Sequence, residues 1–133
     1  MYGYPGCVLN FWIPLTDTEG LDSFEFYPDF FNQVISNSSA KFNLNLWEND
    51  PQKAHYPTIT HPLELGTSLQ IKGQSGDAFI FLSQHLHQTC KHQEKLTRIS
   101  LDFRVIYKHD LQHQTGAVCQ DNQSTLLEWA DPD

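Results

Sequence analysis

The chain has 133 residues, which is enough for one domain with a modest core and too few for two ordinary domains. Hydrophobic residues make up 39% of it and aromatic residues 13%, a composition that can fold and that suits packed β-layers. The formal net charge of −8 argues against a surface for nucleic acid or for anionic membranes.

The cysteines and the apolar runs bear on cellular location. Cys7, Cys90 and Cys119 show no Cys-x-x-Cys spacing, so neither a zinc knot nor a disulfide framework is expected. The longest apolar runs fall far short of the roughly 20 residues that cross a bilayer, and no secretion signal opens the chain. The sequence therefore predicts a cytoplasmic protein without a membrane partner.

Two strands are predicted near the N-terminus. The segment "GCVLNFWIPLTD" is rich in β-forming residues and predicts a first strand that stops at Pro14. In "DSFEFYP", Phe24 and Phe26 alternate with polar residues, which predicts a second strand that ends at Pro28.

A helical pattern follows the second strand. The apolar residues of "DFFNQVISN" recur at i, i+1, i+4 and i+5, which predicts one helix with the stripe Phe30, Phe31, Val34 and Ile35. The segment "KFNLNLW" alternates again and predicts a further strand, which its asparagines weaken. The region from Asn49 to Thr67 has little periodicity and is predicted to be a long surface loop, of the kind that often forms a functional lid.

Three further strands are predicted from "SLQIKG", "GDAFIFLSQHLHQT" and "LTRISLDFRVIYK". The residues from Lys108 onward are polar and rich in glutamine. The chain is therefore divided into a mainly β domain, residues 1–107, and a polar C-terminal extension, residues 108–133. Five or six strands with one helix and a long loop are typical of a barrel or a sandwich.

The segment "RISLDFRVIY" alternates strictly between polar and apolar residues. Strand geometry places Arg98, Ser100, Asp102 and Arg104 on one face and the apolar side chains on the other. In one interpretation the polar face lies in solvent and the apolar face in the core. In the other, the apolar face packs outward on helices, and the polar face lines a cavity in which Arg98 and Ser100 clamp a carboxylate.

His87 is a candidate metal ligand because of its spacing from Arg98. A histidine at a strand end is more often a surface residue than a ligand. Ten residues separate these two, however, which is enough for a turn and a return into the next antiparallel strand. An imidazole, an arginine and a serine facing one cavity suit a metal-chelated oxo acid, because the metal takes the imidazole and the arginine binds the far carboxylate.

The ordered motifs resemble a known family. "LH", followed ten residues later by "RISLDFR", resembles the distal half of the active site of Fe(II)- and 2-oxoglutarate-dependent oxygenases, and is closest to the phytanoyl-CoA-dioxygenase-like group. "YGYPGCVLNFWIPLTD" is similar to that group's strand of the form Y-G-x-P…N-W-W-x-P-L-x-D. "DSFEFYPDFFNQVISNSSAKFNLNLWE" is similar to the strand and helix that follow it. The resemblance covers most of residues 2 to 107.

This resemblance implies a double-stranded β-helix (jelly roll) with a mononuclear iron held by two histidines and one carboxylate. His87 matches the distal iron ligand. Arg98 matches the residue that binds the far carboxylate of 2-oxoglutarate, with help from Ser100, while Asn10 and Trp12 match site-lining residues. The implied cofactors are Fe(II) and 2-oxoglutarate, and the implied activity is the hydroxylation of a small organic substrate, although halogenation also occurs with this chemistry.

One part of the family pattern has no counterpart in the sequence. The group carries its first histidine and its carboxylate in an H-x-D motif just before the position of Tyr2 and Gly3, and no H-x-D occurs in this sequence. The jelly roll is therefore expected to be incomplete and N-terminally truncated, and inactive as this chain alone. The alternative is a non-catalytic jelly-roll binding module. A truncated barrel also exposes a sheet edge, which favours pairing with a second copy of the chain.

Overall fold

The computed structural model describes residues 8–20, 22–42, 57–90, 97–113 and 115. Their strands, in chain order, are β1 (Leu9–Pro14), β2 (Phe24–Phe26), β3 (Leu69–Gln70), β4 (Phe79–Leu82), β5 (His87–Thr89) and β6 (Ser100–Val105). Within this part of the chain the helical content is one α-helix, α1 (Lys108–His113), and two 3-10 turns, Pro28–Phe30 and Ser39–Lys41. The predicted mainly β class is therefore confirmed.

The strands form two antiparallel sheets of three strands each, in the orders β4-β1-β6 and β3-β2-β5. No closed barrel is found among the described residues. β1 is the central strand of the first sheet and pairs with β6 along its whole length, from Leu9↔Val105 to Pro14↔Ser100. β1 ends at Pro14, as predicted, since proline has no N–H to continue a ladder.

Aromatic side chains pack the two sheets against each other. The rings of Trp12 on β1 and Phe24 on β2 meet edge to face, with centroids 4.7 Å apart. Phe81 on β4 contacts Phe24 and Phe26, at centroid distances of 5.6 and 5.1 Å. Trp12, Phe24 and Phe26 form the buried cluster, so the side chains of alternate residues on β1, β2 and β4 build one inner layer.

The outer face of the β4-β1-β6 sheet is apolar and exposed. The register pairs Phe11 with Phe103, whose rings stack 5.1 Å apart on this face. The exposed apolar side chains of this sheet and of its flanking residues are Leu9, Ile80, Ile99, Leu101, Phe103, Val105 and Tyr107. The same register places Ser100 and Arg104, both half-buried, on the inner side beside Pro14 and Asn10, whereas Asp102, opposite Trp12, stays exposed. Of the two interpretations of "RISLDFRVIY", the structure therefore has the polar face turned inward.

The predicted helix after β2 is wrong. Only the 3-10 turn Pro28–Phe30 forms there, followed by a turn over residues 31–33 and irregular structure up to an isolated bridge at Asn37. The reason is competition from another segment: the N–H of Ser38 donates to the carbonyl of Thr58 at 2.9 Å, and the N–H of Thr60 donates to the carbonyl of Ser36 at 3.0 Å. These bonds replace the i to i−4 bonds of a helix, and the stripe splits into a buried Ile35 and an exposed Val34.

The strand predicted from "GDAFIFLSQHLHQT" is two strands in different sheets. A turn follows β4, in which the N–H of His85 donates to the carbonyl of Leu82 at 3.1 Å, and β5 then pairs with β2 instead of β1. The predicted antiparallel return from His87 to Arg98 is therefore wrong, because β5 and β6 belong to separate sheets.

Several predictions concern residues outside the described ranges. The strand predicted from "KFNLNLW" lies outside them from Asn43 onward, as do the first part of the predicted loop, residues 49–56, and the motif residues Tyr2 and Gly3. The predicted extension contains α1 and is described only as far as 115. No helix in the described part of the chain is long and apolar enough to span a membrane.

The central position of Trp12 predicts a large loss of stability on truncation. Trp12→Ala should lower the free energy of unfolding by about 3–5 kcal/mol, because it removes the ring that joins the sheets. Ile99→Ala, at a side chain 54% exposed on the outer face, should change it by less than about 1 kcal/mol. Urea unfolding followed by circular dichroism measures both, and equal losses would contradict this account of the core.

Candidate ligand-binding site between the sheets

His87 lies in the aromatic layer between the sheets. It is opposite Phe26 in the β2–β5 register, and its ring lies 5.1 Å from that of Phe81 and 5.6 Å from that of Phe26. Nδ1 lies 2.6 Å from the carbonyl oxygen of His85. Since a carbonyl only accepts, Nδ1 carries the hydrogen of the neutral ring, and Nε2 keeps its lone pair.

Burial lowers the pKa of His87 to about 4, and the nearby positive charge of Arg104 acts in the same direction. The imidazole is therefore neutral at physiological pH. An unprotonated Nε2 inside a fold is the form of histidine that binds a metal or accepts a hydrogen bond from a ligand.

Arg98 bridges the two sheets at the start of β6. Its guanidinium carbon lies 5.5 Å from the centroid of the Trp12 ring, a cation–π arrangement. Nη1 donates to the backbone carbonyl of Asp22 at 2.9 Å, just before β2. The side chain is half-buried, and its other N–H groups have no acceptor among the described residues. Ser100, also half-buried, lies two residues further along the same side of β6.

Asn10 and Trp12 are both buried, and both serve the packing of the fold. Nδ2 of Asn10 donates to Oγ of Ser83 at 3.0 Å and to the carbonyl of Phe81 at 3.2 Å, which fastens β1 to the end of β4. Trp12 belongs to the core, and the guanidinium of Arg98 lies over the face of its ring. Their predicted role as site-lining residues stays a prediction.

A cavity of about 230 Å³ opens beside His87, at the turn between β4 and β5. It is lined by Tyr27, Pro57, Thr58, Ile59, Leu65, Ser83, His85, Leu86, His87 and Gln88. Arg98 and Ser100 do not line it. Arg98 is connected to His87 through two packed rings, because Arg98 lies over Trp12, Trp12 contacts Phe24, and the Phe24 ring lies 6.4 Å from that of His87.

Most residues that line this cavity were not predicted from the sequence to belong to a site. The ring of His85 stacks on that of Phe31, with centroids 4.1 Å apart, and lines the cavity. The alternation Phe81, Ser83, His85, His87 was the available signal. The end of the predicted loop, residues 57–65, does contribute to the cavity wall.

The potential metal ligands are dispersed in the described part of the chain. It contains no group of three or more His, Cys, Asp or Glu side chains placed to hold a metal ion. The sequence does hold one H-x-E spacing, His92 and Glu94, between β5 and β6, and both residues lie outside the described ranges.

Comparisons with known proteins give no assignment. No protein-family model matches the chain, and neither the curated proteins nor the solved structures contain a significant match.

The buried imidazole predicts a pH dependence of stability with a definite sign. An unfolded histidine titrates near 6.5, whereas the folded-state pKa of His87 is about 4. Between these values the unfolded chain binds a proton that the folded chain does not. The contribution of neutral His87 is therefore complete above its unfolded pKa and falls by roughly 3 kcal/mol as the pH drops to its folded pKa.

His87→Gln should flatten this dependence, since a glutamine amide can still donate to the carbonyl of His85 but does not titrate. Urea unfolding between pH 7 and pH 4 measures the slope, with His61→Gln as the matched change at an exposed histidine. The same slope in wild type and His87→Gln would contradict the assignment of this pH dependence to His87.

Proposed function

We propose that this chain belongs to the jelly-roll Fe(II)- and 2-oxoglutarate-dependent oxygenases of the phytanoyl-CoA-dioxygenase-like group, whose members hydroxylate small organic substrates. The observations that carry the proposal are the inward position of Ser100 and Arg104 on β6 and a half-buried, neutral His87 in the aromatic layer of the facing sheet. Two facing antiparallel sheets with aromatic residues between them are compatible with a jelly roll, which is built from two such sheets.

Arg98 is proposed to bind the far carboxylate of 2-oxoglutarate. The Trp12 ring beneath the guanidinium and the bond to the Asp22 carbonyl fix its plane. The N–H groups without an acceptor among the described residues remain for two parallel bonds to a carboxylate. Ser100, on the same side of β6, adds a hydroxyl donor.

His87 is proposed as one ligand of the iron, through the lone pair of Nε2. The described residues do not fit a complete mononuclear iron site, because they supply this imidazole without a second and third ligand beside it. A single imidazole holds a divalent first-row metal only weakly. The other ligands in the proposal therefore come from outside the described residues, and the role of the described ones is to bind and orient the oxo acid.

A non-catalytic binding module is the second candidate. It is favoured by one observation: the cavity beside His87 is lined without Arg98 or Ser100, so a small molecule can occupy it independently of the carboxylate clamp.

The clamp predicts a selective loss of affinity in Arg98→Lys. The variant keeps the positive charge and loses the planar fork, so it should bind 2-oxoglutarate at least tenfold more weakly, a loss of about 1.4 kcal/mol. Titrations followed by NMR on the Trp12 indole signal measure this. Its affinity for 2-oxopentanoate, which has the same chain length and no far carboxylate, should be unchanged.

Lys41→Gln serves as the matched control, since it removes a positive charge from an exposed side chain elsewhere. Equal affinity of wild type and Arg98→Lys for 2-oxoglutarate would overturn the clamp. A parallel loss for both oxo acids would assign Arg98 to the packing of the two sheets instead.

The oxygenase and the binding module are separated by turnover. We expect the protein to form succinate from 2-oxoglutarate in an Fe(II)-dependent reaction when all of its iron ligands are present, and His87→Ala to abolish this activity. Binding of 2-oxoglutarate without succinate formation would favour the module.

A further inference from the structure

The cavity beside His87 has the dimensions of a binding site for a small molecule. Its volume is about 230 Å³, which matches that of roughly eight liquid water molecules at about 30 Å³ each. A single substituted ring of about eight to twelve non-hydrogen atoms therefore fills it.

None of the described residues that line the cavity carries a charged side chain, although the chain as a whole has a net charge of −8. One part of the wall is apolar: Pro57, Ile59, Leu65 and Leu86. The other part carries uncharged polar groups and the two imidazoles of His85 and His87. A charged ligand would lose its hydration here without meeting an opposite charge, whereas an uncharged one would not.

Two parts of this wall are held in place before any ligand binds. The imidazole of His85 lies flat on the ring of Phe31, at 4.1 Å and 12°. The segment at Thr58 is fixed because its N–H donates to Oγ of Ser38 at 3.0 Å and its carbonyl accepts from the N–H of Ser38 at 2.9 Å. A wall that is already ordered loses little conformational entropy on binding.

The hydroxyl of Tyr27 and the amide of Gln88 are already hydrogen-bonded within the protein. Both hydrogen-bond to the Glu25 carboxylate, at 2.9 and 2.7 Å, and Gln88 also donates to the Tyr27 hydroxyl. The Tyr27 ring thus lines the cavity while its hydroxyl is occupied. The imidazole nitrogens of His85 and His87 are further hydrogen-bonding groups of the site, besides the hydroxyls of Thr58 and Ser83, and Nε2 of His87 is an acceptor.

We propose that this cavity binds an uncharged, mainly apolar molecule of the size of one substituted ring, held by a hydrogen bond from a hydroxyl or N–H group of the ligand to an imidazole. Its identification as the substrate of an oxygenase rests on the function proposed above, while the binding itself needs neither metal nor 2-oxoglutarate.

Benzyl alcohol, benzoate and benzylammonium have one ring each, nearly equal size and different charge, and therefore test the proposal directly. Each is titrated into the 133-residue chain without metal, and the imidazole signals of His85 and His87 are followed by NMR after assignment with the His→Gln variants. Benzyl alcohol should shift both imidazoles in a saturable manner, and the two charged analogues should bind at least tenfold more weakly.

Leu65→Trp fills the cavity and should weaken benzyl alcohol binding at least tenfold, with Ile59→Phe as a second filling variant. Leu69→Trp, at an exposed leucine that does not line the cavity, is the matched control and should bind like wild type. Benzoate binding as tight as that of benzyl alcohol, no saturable shift in wild type, or unchanged binding in both filling variants would overturn the proposal. A failure of the carboxylate clamp would instead appear in the 2-oxoglutarate titration of Arg98→Lys.

Discussion

The contact between Trp12 and Phe24 is the interaction on which the rest of the structure depends. Three-stranded sheets with strands of two to six residues are marginal by themselves and need a packed face. The edge-to-face pair supplies it and holds the sheets together at their centre. Both candidate functional side chains pack against this pair, since Arg98 lies over Trp12 and His87 lies beside Phe24. The contact between Trp12 and Phe24 thus both stabilises the fold and positions the candidate site.

An inward polar strand face opposite an outward apolar one is unusual for a chain of this size. Placing Ser100 and Arg104 inside costs solvation that must be recovered from hydrogen bonds or from a ligand. The fold meets this cost in part with its own groups, since Nη1 of Arg104 lies 3.9 Å from the Asp102 carboxylate. An arrangement of this kind is informative about function because hydrophobic burial alone would favour the opposite orientation.

The sequence was sufficient to predict β1, β2 and β6, because each combines β-forming residues with a clear alternation or a terminal proline. It was insufficient at the turn after Leu82, since the period-two pattern from Phe81 to His87 continues unbroken while the chain changes sheets. It also failed after Pro28, where bonds to residues 58–60 outweighed a local helical preference. His87 and Arg98 could be named as candidate site residues from the sequence. That two aromatic rings separate them could not be predicted, because it depends on which sheet each strand joins, and no local sequence pattern encodes that.

The passage from β4 to β5 also determines where the chain tolerates a change in length. Only four residues lie between Leu82 and His87, and they carry the backbone from one sheet to the other. One inserted residue there would turn the His87 side chain away from the aromatic layer, as a one-residue slip reverses the facing of every side chain in a strand. Residues 66–68, which follow the cavity wall, have no strand partner among the described residues and absorb an insertion more easily. Length variation between natural relatives should therefore concentrate in the second segment and spare the first.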